Sequence, residues 1–414
     1  MQEGSKTEAE DRVSKDLLMD IIRAGAQQLI AQALKVEVTE LLATYADQRD
    51  EQGHARVVLS GHHPARVIQT GMGPVPVRVP KVRSRQGDPV RFHSALVPPY
   101  VRKTASLEAA IPWLYLKGIS TGEMQVALEA LVGPEAKGLS ASTVARLKQV
   151  WREEYDIWRH RRLDADQWVY LWVDGIYSGL RAETQRLCAL VVIGMNAQGE
   201  KHLLAIEDGI RESTQSWREV LLTLKARGLT APALAIGDGA MGFWGALEEI
   251  YPSTQQQRCW CHKTRNVLNA FPKSVQPKAK QALHEIWQAP TKATAEDAFD
   301  VFINTYDVKY PKATACLQKD REALLTFYAF PAEQWPSLRT TNPIESTFGT
   351  IRHRTIRTKG CLTRDGMLHM MFKLGQCAEK TWRRVRGFKQ LPKVIQGIQF
   401  IDGMDPNTMN SVAA

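Results

Sequence analysis

The chain has 414 residues, of which 44% are hydrophobic and 24% are charged, a composition that excludes a disordered chain. We find no apolar run long enough to cross a bilayer and no secretory leader, so we expect neither an integral membrane protein nor a secreted one. Six cysteines are too few for a disulfide framework, which favours a reducing cytoplasm.

The formal net charge is +10, and its location is more informative than its size. Thr350–Lys393 holds 12 Lys and Arg against 2 acidic residues, and Gly61–Lys103 holds 8 against 1. Dense positive charge attracts a polyanion such as nucleic acid, although basic helices in solvent have the same composition. The charge pattern therefore predicts a nucleic-acid partner and leaves solvated helices as the alternative.

The N-terminal part combines helices with a short β region. After a polar start at Met1–Lys15, which is predicted to be disordered, apolar residues at helical spacing predict a helix over Asp16–Tyr45. Short alternating segments bounded by Gly and Pro predict strands at Val67–Gln69 and Val75–Val79.

The helical pattern returns after residue 105 with three predicted helices. The third follows Ser140 and exposes Arg146 and Gln149, as the recognition helix of a helix-turn-helix does. The link Val132–Leu139 is longer than the usual turn in that motif. DNA reading by this helix and plain helix packing both stay open.

From Gln167 the pattern alternates between strands and helices. Trp168–Asp174 is apolar on both faces, as in a central strand covered by helices, and Ala233–Asp238 is a second buried strand. The full order is a three-stranded meander, a helix, a strand, a helix and a strand, and then helices only. That order predicts an α/β protein with an RNase H-like catalytic core and an all-α insertion, preceded by a mainly helical DNA-binding region with a small β element. The predicted boundaries are 1–60 (helical), 61–105 (basic β element), 106–163 (helix-turn-helix-like), 164–262 with 339–395 (core), 263–338 (insertion) and 396–414 (tail).

Three acids fall on separate elements of this core. Asp174 lies on the first strand, Asp238 ends the fourth, and Glu345 falls in the first turn of a later helix. That helix is predicted to have Asn342 as its N-cap and Pro343 as its first residue. An ionised Asp on a buried strand needs a partner charge or a metal. Carboxylates from separate elements suit two Mg²⁺ (or Mn²⁺) ions that clamp a phosphodiester.

The acids also have competing interpretations. Glu345 can instead close a capping box with Asn342, which on that stretch alone is the favoured interpretation. Glu207 and Asp208, at the end of the third strand, are rival metal ligands, and so are Glu248 and Glu249, although these two look like solvated helix positions. The two aspartates upstream of Glu345 shift the balance towards a metal site.

Two further motifs accompany these acids. Cys259 and His262 are spaced like half of a zinc site, but no second pair follows at finger-like spacing. A buried packing cluster is therefore favoured, and it can still orient the adjacent acid. The helix after Glu345 carries a basic row that we expect to hold phosphates, with a solvated face as the alternative. The row consists of Arg352, Arg354, Arg357 and Lys359.

Four blocks resemble the signature blocks of Mutator-type transposases of bacterial insertion sequences, over roughly Leu107–Arg386. They are Val173-Asp174-Gly175-Ile176-Tyr177, Gly237-Asp238-Gly239, Arg258–Leu268 and Thr340–Phe348. The last block is the most specific. By that resemblance Asp174, Asp238 and Glu345 are the catalytic triad of a DDE transposase, and no triad position departs from the pattern. Cys261, inside the Cys-x-x-His motif, is not part of it.

The resemblance implies a metal-dependent enzyme that cuts DNA at the terminal inverted repeats of an insertion sequence and joins the freed 3′ end to target DNA. It implies double-stranded DNA as the partner, a homodimer or larger assembly, and a bacterial cytoplasmic, nucleoid-associated location. The alternatives are a structure-selective nuclease on the same fold, which cuts without joining, and a domesticated DNA-binding protein. The intact acid triad argues against the second alternative.

Overall fold

The computed structural model describes residues 4–104, 141–180, 186–239, 241–357 and 363–406, and the single residues 107, 114, 126, 127 and 129. For 4–16, 141–148, 241 and 350–357 it describes the backbone only. The chain divides into two compact units, Met1–Leu147 and Lys148–Ala414. The finer domain boundaries stay predictions. None of the described helices has both the length and the apolarity needed to cross a membrane.

The N-terminal unit packs one long helix on two small sheets. Its elements are α1 Gly4–Ala43, β1 Val57–His62, β2 Arg66–Thr70, β3 Gly73–Val77 and β4 Pro80–Ser84. β1 pairs with β4 and β2 with β3, all antiparallel, and Leu34 of α1 joins Ile68 and Val75 in the core. The predicted β element is confirmed. The predicted disorder of Met1–Lys15 is wrong from Gly4 onwards, because its Lys, Glu and Ala residues are good helix formers and continue α1.

The C-terminal unit is built on a mixed sheet of five strands in the order β7-β6-β5-β8-β9. β5, β6 and β7 form an antiparallel meander, while β8 runs parallel to β5 and β9 runs parallel to β8. The helix α2 Ala141–Arg159 begins in the first unit and continues into this one. The next elements are β5 Trp168–Ser178, β6 Leu187–Asn196, β7 Lys201–Gly209, α3 Thr214–Ala226, β8 Leu234–Gly237, α4 Met241–Ile250 and β9 Gln255–Arg258. The predicted α/β order is confirmed.

Both faces of this sheet are covered, which explains why β6 is buried along its whole length. α3 and α4 pack on one face around Trp217. On β5, the Tyr170 hydroxyl donates to Gln334 Oε1 at 2.5 Å and the Trp172 indole donates to the Ser337 carbonyl at 3.0 Å. These two bonds tie the end of the helical region to the central strand.

After β9 the described chain is helical, as the sequence predicted for 263–338. The α-helices are α5 Trp260–Leu268, α6 Gln276–Gln288, α7 Lys292–Tyr306, α8 Pro311–Gln318, α9 Arg321–Leu325, α10 Trp335–Leu338, α11 Asn342–Arg357, α12 Arg364–Glu379 and α13 Leu391–Ile395. Phe271, Phe302 and Tyr306 form an aromatic cluster within them. α11 returns to pack against β5, and α12 packs against β7.

α2 is the third helix predicted in the region after residue 105. Trp151, Tyr155 and Trp158 are buried along it, and the Tyr155 hydroxyl donates to the Ile206 carbonyl of β7 at 2.6 Å. The two helices predicted before it lie almost wholly outside the described residues. The helix-turn-helix interpretation therefore stays a prediction.

Candidate active site

Asp174 and Asp238 lie at the same edge of the sheet. β5 and β8 are parallel neighbours in which Val173 is paired with Gly237, so Asp174 and Asp238 are the next residues along the two strands. Asp174 lies within β5, which continues to Ser178, whereas Asp238 directly follows the end of β8. Both aspartates are half-buried. Carboxyl ends of parallel strands are a common position for ligand sites in α/β proteins.

The backbone at Asp238 is fixed by two side chains. The Trp244 indole and the Arg258 guanidinium donate to the Asp238 carbonyl at 2.8 Å and 3.0 Å. Arg258 also stacks over the Trp244 ring, with 4.4 Å between the guanidinium carbon and the ring centre. The Asp238 carboxylate takes no part in these contacts, so it stays available at the sheet edge.

Glu345 approaches the aspartates from α11. The helix begins at Asn342, one residue earlier than predicted, and the Glu345 amide donates to the Thr341 carbonyl at 3.1 Å. The Asn342 amide donates to Thr340 Oγ1 at 3.4 Å, whereas a capping box would pair it with Glu345. Glu345 Oε1 instead lies 3.1 Å from His262 Nε2. The acid thus faces the sheet edge.

The Cys-x-x-His motif holds the start of α11. Cys259 Sγ accepts hydrogen bonds from the Thr341 amide and hydroxyl at 3.3 Å and 3.5 Å, and His262 Nδ1 lies 3.4 Å from that hydroxyl. Nearby, the Trp260 amide donates to the Arg339 carbonyl at 2.8 Å. The packing interpretation of this motif therefore has a definite geometry: it orients the helix that carries Glu345.

The motif also supplies a positive charge. Burial disfavours the cationic form of His262, but its hydrogen bond with Cys259 and the charges of Asp238 and Asp174 outweigh burial and raise the His262 pKa to about 9. A protonated His262 next to Glu345 forms an ion pair at neutral pH.

The site is strongly anionic. Burial raises the pKa of the Asp174 carboxyl to about 7, against the attraction of His262 and with the repulsion of three other carboxylates. These are Glu212, Asp238 and Glu345. The charges of Asp238 and Glu345, two of the three acids predicted from the sequence, therefore act on the pKa of the third, Asp174. Glu212 is a fourth acid with the same effect.

Glu212, which the sequence analysis missed, follows β7 and precedes Ser213, the N-cap of α3. Burial raises its pKa, and the charge of Asp238 adds to that effect. The apolar pattern of β7 stops at Ile206, so nothing in the sequence marked Glu212 as a residue of the site. β7 continues to Gly209 and delivers Glu212 to the site.

Two of the rival acids form ion pairs away from the site. Glu207 Oε2 accepts from Arg159 at 2.8 Å, and both oxygens of Asp208 accept from Arg364 at 2.8 Å. Carboxylates neutralised by Arg are poorly placed to attract a cation. The ion pairs also explain why β7 extends through two charged residues.

The predicted DNA-contacting residues are only partly described. Gln149 is exposed on α2 and its amide donates to Glu153 at 3.0 Å. Arg146 lies on α2, and Arg352, Arg354 and Arg357 lie on α11, where the structure describes the backbone alone. Lys359 lies outside the described residues. Their roles stay predictions.

The fold and the sheet edge together define a class: a mixed α/β protein with a half-buried acidic site where the parallel strand β8 ends beside its neighbour β5. Sequence comparison gives the family. The profile of "Transposase, Mutator family" matches residues 2–382. The chain therefore belongs to the Mutator family of transposases, which confirms the resemblance of the four blocks.

Individual relatives agree. The chain is 52% identical over 285 residues to a transposase for insertion sequence element IST2 of Acidithiobacillus ferrooxidans, covering 69% of this chain and 96% of the relative. It is 47% identical over 297 residues to a transposase for IS6120 of Mycolicibacterium smegmatis, covering 72% and 92%. A transposase for ISRM5 of Rhizobium meliloti is 27% identical over 359 residues, covering 84% and 87%.

Proposed function

We propose that this transposase is a DDE enzyme in which Asp174, Asp238 and Glu345 bind two Mg²⁺ or Mn²⁺ ions. It cuts DNA at the ends of an insertion sequence and joins the freed 3′ ends to target DNA. The observation that carries the proposal is the approach of three acids, from β5, the end of β8 and α11, to one edge of the sheet.

The topology supports an RNase H-like core. An antiparallel meander of β7, β6 and β5 is extended by parallel β8 and β9, with helices on both faces. The sequence analysis predicted that order for an RNase H-like fold. The helices α5 to α10 lie in the chain between β9 and the helix of Glu345, where an all-α insertion is expected.

The side chains at this edge fit a hard divalent cation. Oxygen donors are the preferred ligands of Mg²⁺ and Mn²⁺. Burial raises the pKa of Asp174, and the neighbouring carboxylates add to that effect, so a bound cation would favour the ionised form of this acid. In the described parts of the chain, no three Asp, Glu, His or Cys side chains are grouped closely enough to hold an ion as they stand. Rotation of these side chains would have to bring the oxygens together.

The protein's own groups prepare the site. When bound, a pair of divalent cations supplies activation of the attacking oxygen and neutralises the charge on the leaving oxygen. Trp244 and Arg258 fix the backbone of Asp238, and His262 holds Glu345 towards the sheet edge. Preorganised donors of this kind limit the rearrangement needed during the reaction.

A joining assay separates this function from its rivals. We expect the full-length protein, given Mg²⁺ and duplex DNA ending in the element's terminal repeat, to produce cleaved ends and also products joined to a target plasmid. Cleavage without joining would favour a structure-selective nuclease. Binding without cleavage would favour a domesticated DNA-binding protein.

DNA binding by the N-terminal unit has a candidate surface. A cavity of about 740 Å³ opens beside β4. Its charged and imidazole lining side chains are His63, Arg66, Lys81, Arg83, Arg91 and His93, and no Asp or Glu lines it. Arg66 donates to the carbonyls of Val97 and Pro98, whereas Lys81 and Arg83 are exposed. The exposed cations suit a phosphate backbone.

We expect Lys81→Ala and Arg83→Ala to weaken DNA binding by the full-length protein. Each lost phosphate contact should flatten the slope of log K against log salt by about one unit. Gel shifts at several salt concentrations measure this. Arg78→Ala is the matched control, because Arg78 is exposed in the same unit but does not line the cavity. Equal changes in all three variants would mean that general charge, not this surface, holds DNA.

The basic row on and after α11 is proposed to hold the backbone next to the cleavage point. Arg352 follows Glu345 by seven residues on one helix, about 10 Å along its axis. The same salt titration applied to Arg352→Ala tests that assignment.

A further inference from the structure

Glu212 lies against the strand that carries Asp174. A methyl group added at Gly175 would be 2.4 Å from both Cδ and Oε1 of Glu212. Real side chains do not approach that closely, so the Glu212 carboxyl occupies the space that any larger residue at position 175 would need. The glycine after Asp174 thus admits this acid to the sheet edge.

Three local features fix the backbone around Glu212. Arg211 has a φ of 58°, in the left-handed region that non-glycine residues seldom adopt. Ser213 caps α3 by accepting from the Ser216 amide at 3.2 Å. A methyl group at Gly242 would lie 2.2 Å from the Glu212 carbonyl oxygen, so α4 contacts this backbone directly. Three constraints therefore hold Glu212 in its position.

Glu212 differs from the other acids after β7 in its partners. Glu207 and Asp208 are neutralised by Arg159 and Arg364. The Tyr177 hydroxyl lowers the pKa of Glu212 against the larger effect of burial, and within the described residues no Lys or Arg forms an ion pair with Glu212. Its charge therefore acts on the sheet edge.

We propose that Glu212 is a fourth carboxylate of the cation site, a ligand that joins Asp174, Asp238 and Glu345 from the β7–α3 side. Gly175 is the residue that makes room for it. This inference rests on the proposed function, because it assumes that the sheet edge binds divalent cations. It assigns a role to an acid outside the triad.

The test is Mn²⁺ binding to the full-length protein without DNA, measured from the loss of the free Mn²⁺ signal in electron paramagnetic resonance. We expect Glu212→Gln to weaken binding by about tenfold or more. Gly175→Ala keeps all four acids but displaces Glu212, so it should weaken binding in the same direction. Glu219→Gln, an exposed acid on α3, is the matched control and should bind Mn²⁺ like the wild type.

Asp238→Asn in the same titration distinguishes a wrong role for Glu212 from the absence of a cation site. Weakened binding in Asp238→Asn with wild-type binding in folded Glu212→Gln would overturn the role of Glu212 and leave the triad intact. Unchanged binding in both would overturn the cation site itself. Circular dichroism shows whether each variant is folded. If Glu212→Gln does not fold, Gly175→Ala decides, and wild-type Mn²⁺ affinity there would contradict the proposal.

Discussion

Asp238→Asn is expected to abolish DNA cleavage while leaving DNA binding intact. A carboxamide is a poor ligand for a hard cation, and loss of several kcal/mol of cation-dependent stabilisation slows the reaction by about 10³-fold or more. The fold should tolerate the change. Trp244 and Arg258 bond to the carbonyl of residue 238, and an Asn side-chain oxygen can still accept from the Gly239 amide as Asp238 does.

Single-turnover cleavage of terminal-repeat DNA in Mg²⁺ measures the rate, and a gel shift measures binding. Glu248→Gln is the control, since Glu248 is an exposed acid on α4 that accepts from Gln256 at 2.9 Å. Cleavage by Asp238→Asn at near the wild-type rate would contradict the assignment. Equal loss of cleavage in Glu248→Gln would show that the assay responds to charge in general.

The places of the three acids in the fold were predictable because each lies at a recognisable point of a local sequence pattern. Two apolar runs that end in Asp define buried strands, and their parallel pairing places Asp174 and Asp238 side by side. Asn342 and Pro343 mark a helix start, so the sequence predicted the beginning of α11, and with it the place of Glu345 in the first turn, to within one residue. Helix ends are seldom defined more closely by sequence alone.

Contacts distant in sequence were not predictable. Cys259 and Thr341 are separated by 82 positions, and no periodicity links them, yet their hydrogen bond sets the position of Glu345. Glu212 was missed for a related reason. The apolar pattern of β7 stops at Ile206, whereas ion pairs to Glu207 and Asp208 extend the strand to Gly209. The order of charged residues along the chain does not show which of them form ion pairs in the fold.

Asp174→Asn is expected to stabilise the folded protein in cation-free buffer, and more so at high pH. Burial raises the pKa of Asp174 from 3.8 to about 7. The folded state therefore binds a proton that the unfolded state has released. The free energy of unfolding therefore decreases as pH rises from 3.8 to 7. Above pH 7 the ionisation of Asp174 decreases it no further. At about 1.4 kcal/mol per pKa unit, the ionised Asp174 destabilises the folded state by at most ~4 kcal/mol, and the attraction of His262 is already included in the shifted pKa.

Thermal melts in EDTA at pH 5.5 and pH 8 check this. The gain in melting temperature of Asp174→Asn over the wild type should be larger at pH 8, since at pH 5.5 only about half of the ionisation cost has developed. Asp88→Asn, an exposed site, should show no such difference between the two pH values. Added Mg²⁺ should stabilise the wild type more than the variant, because a cation that binds only the folded state raises its stability. An equal gain in melting temperature at both pH values would mean that ionisation of Asp174 does not destabilise the folded state.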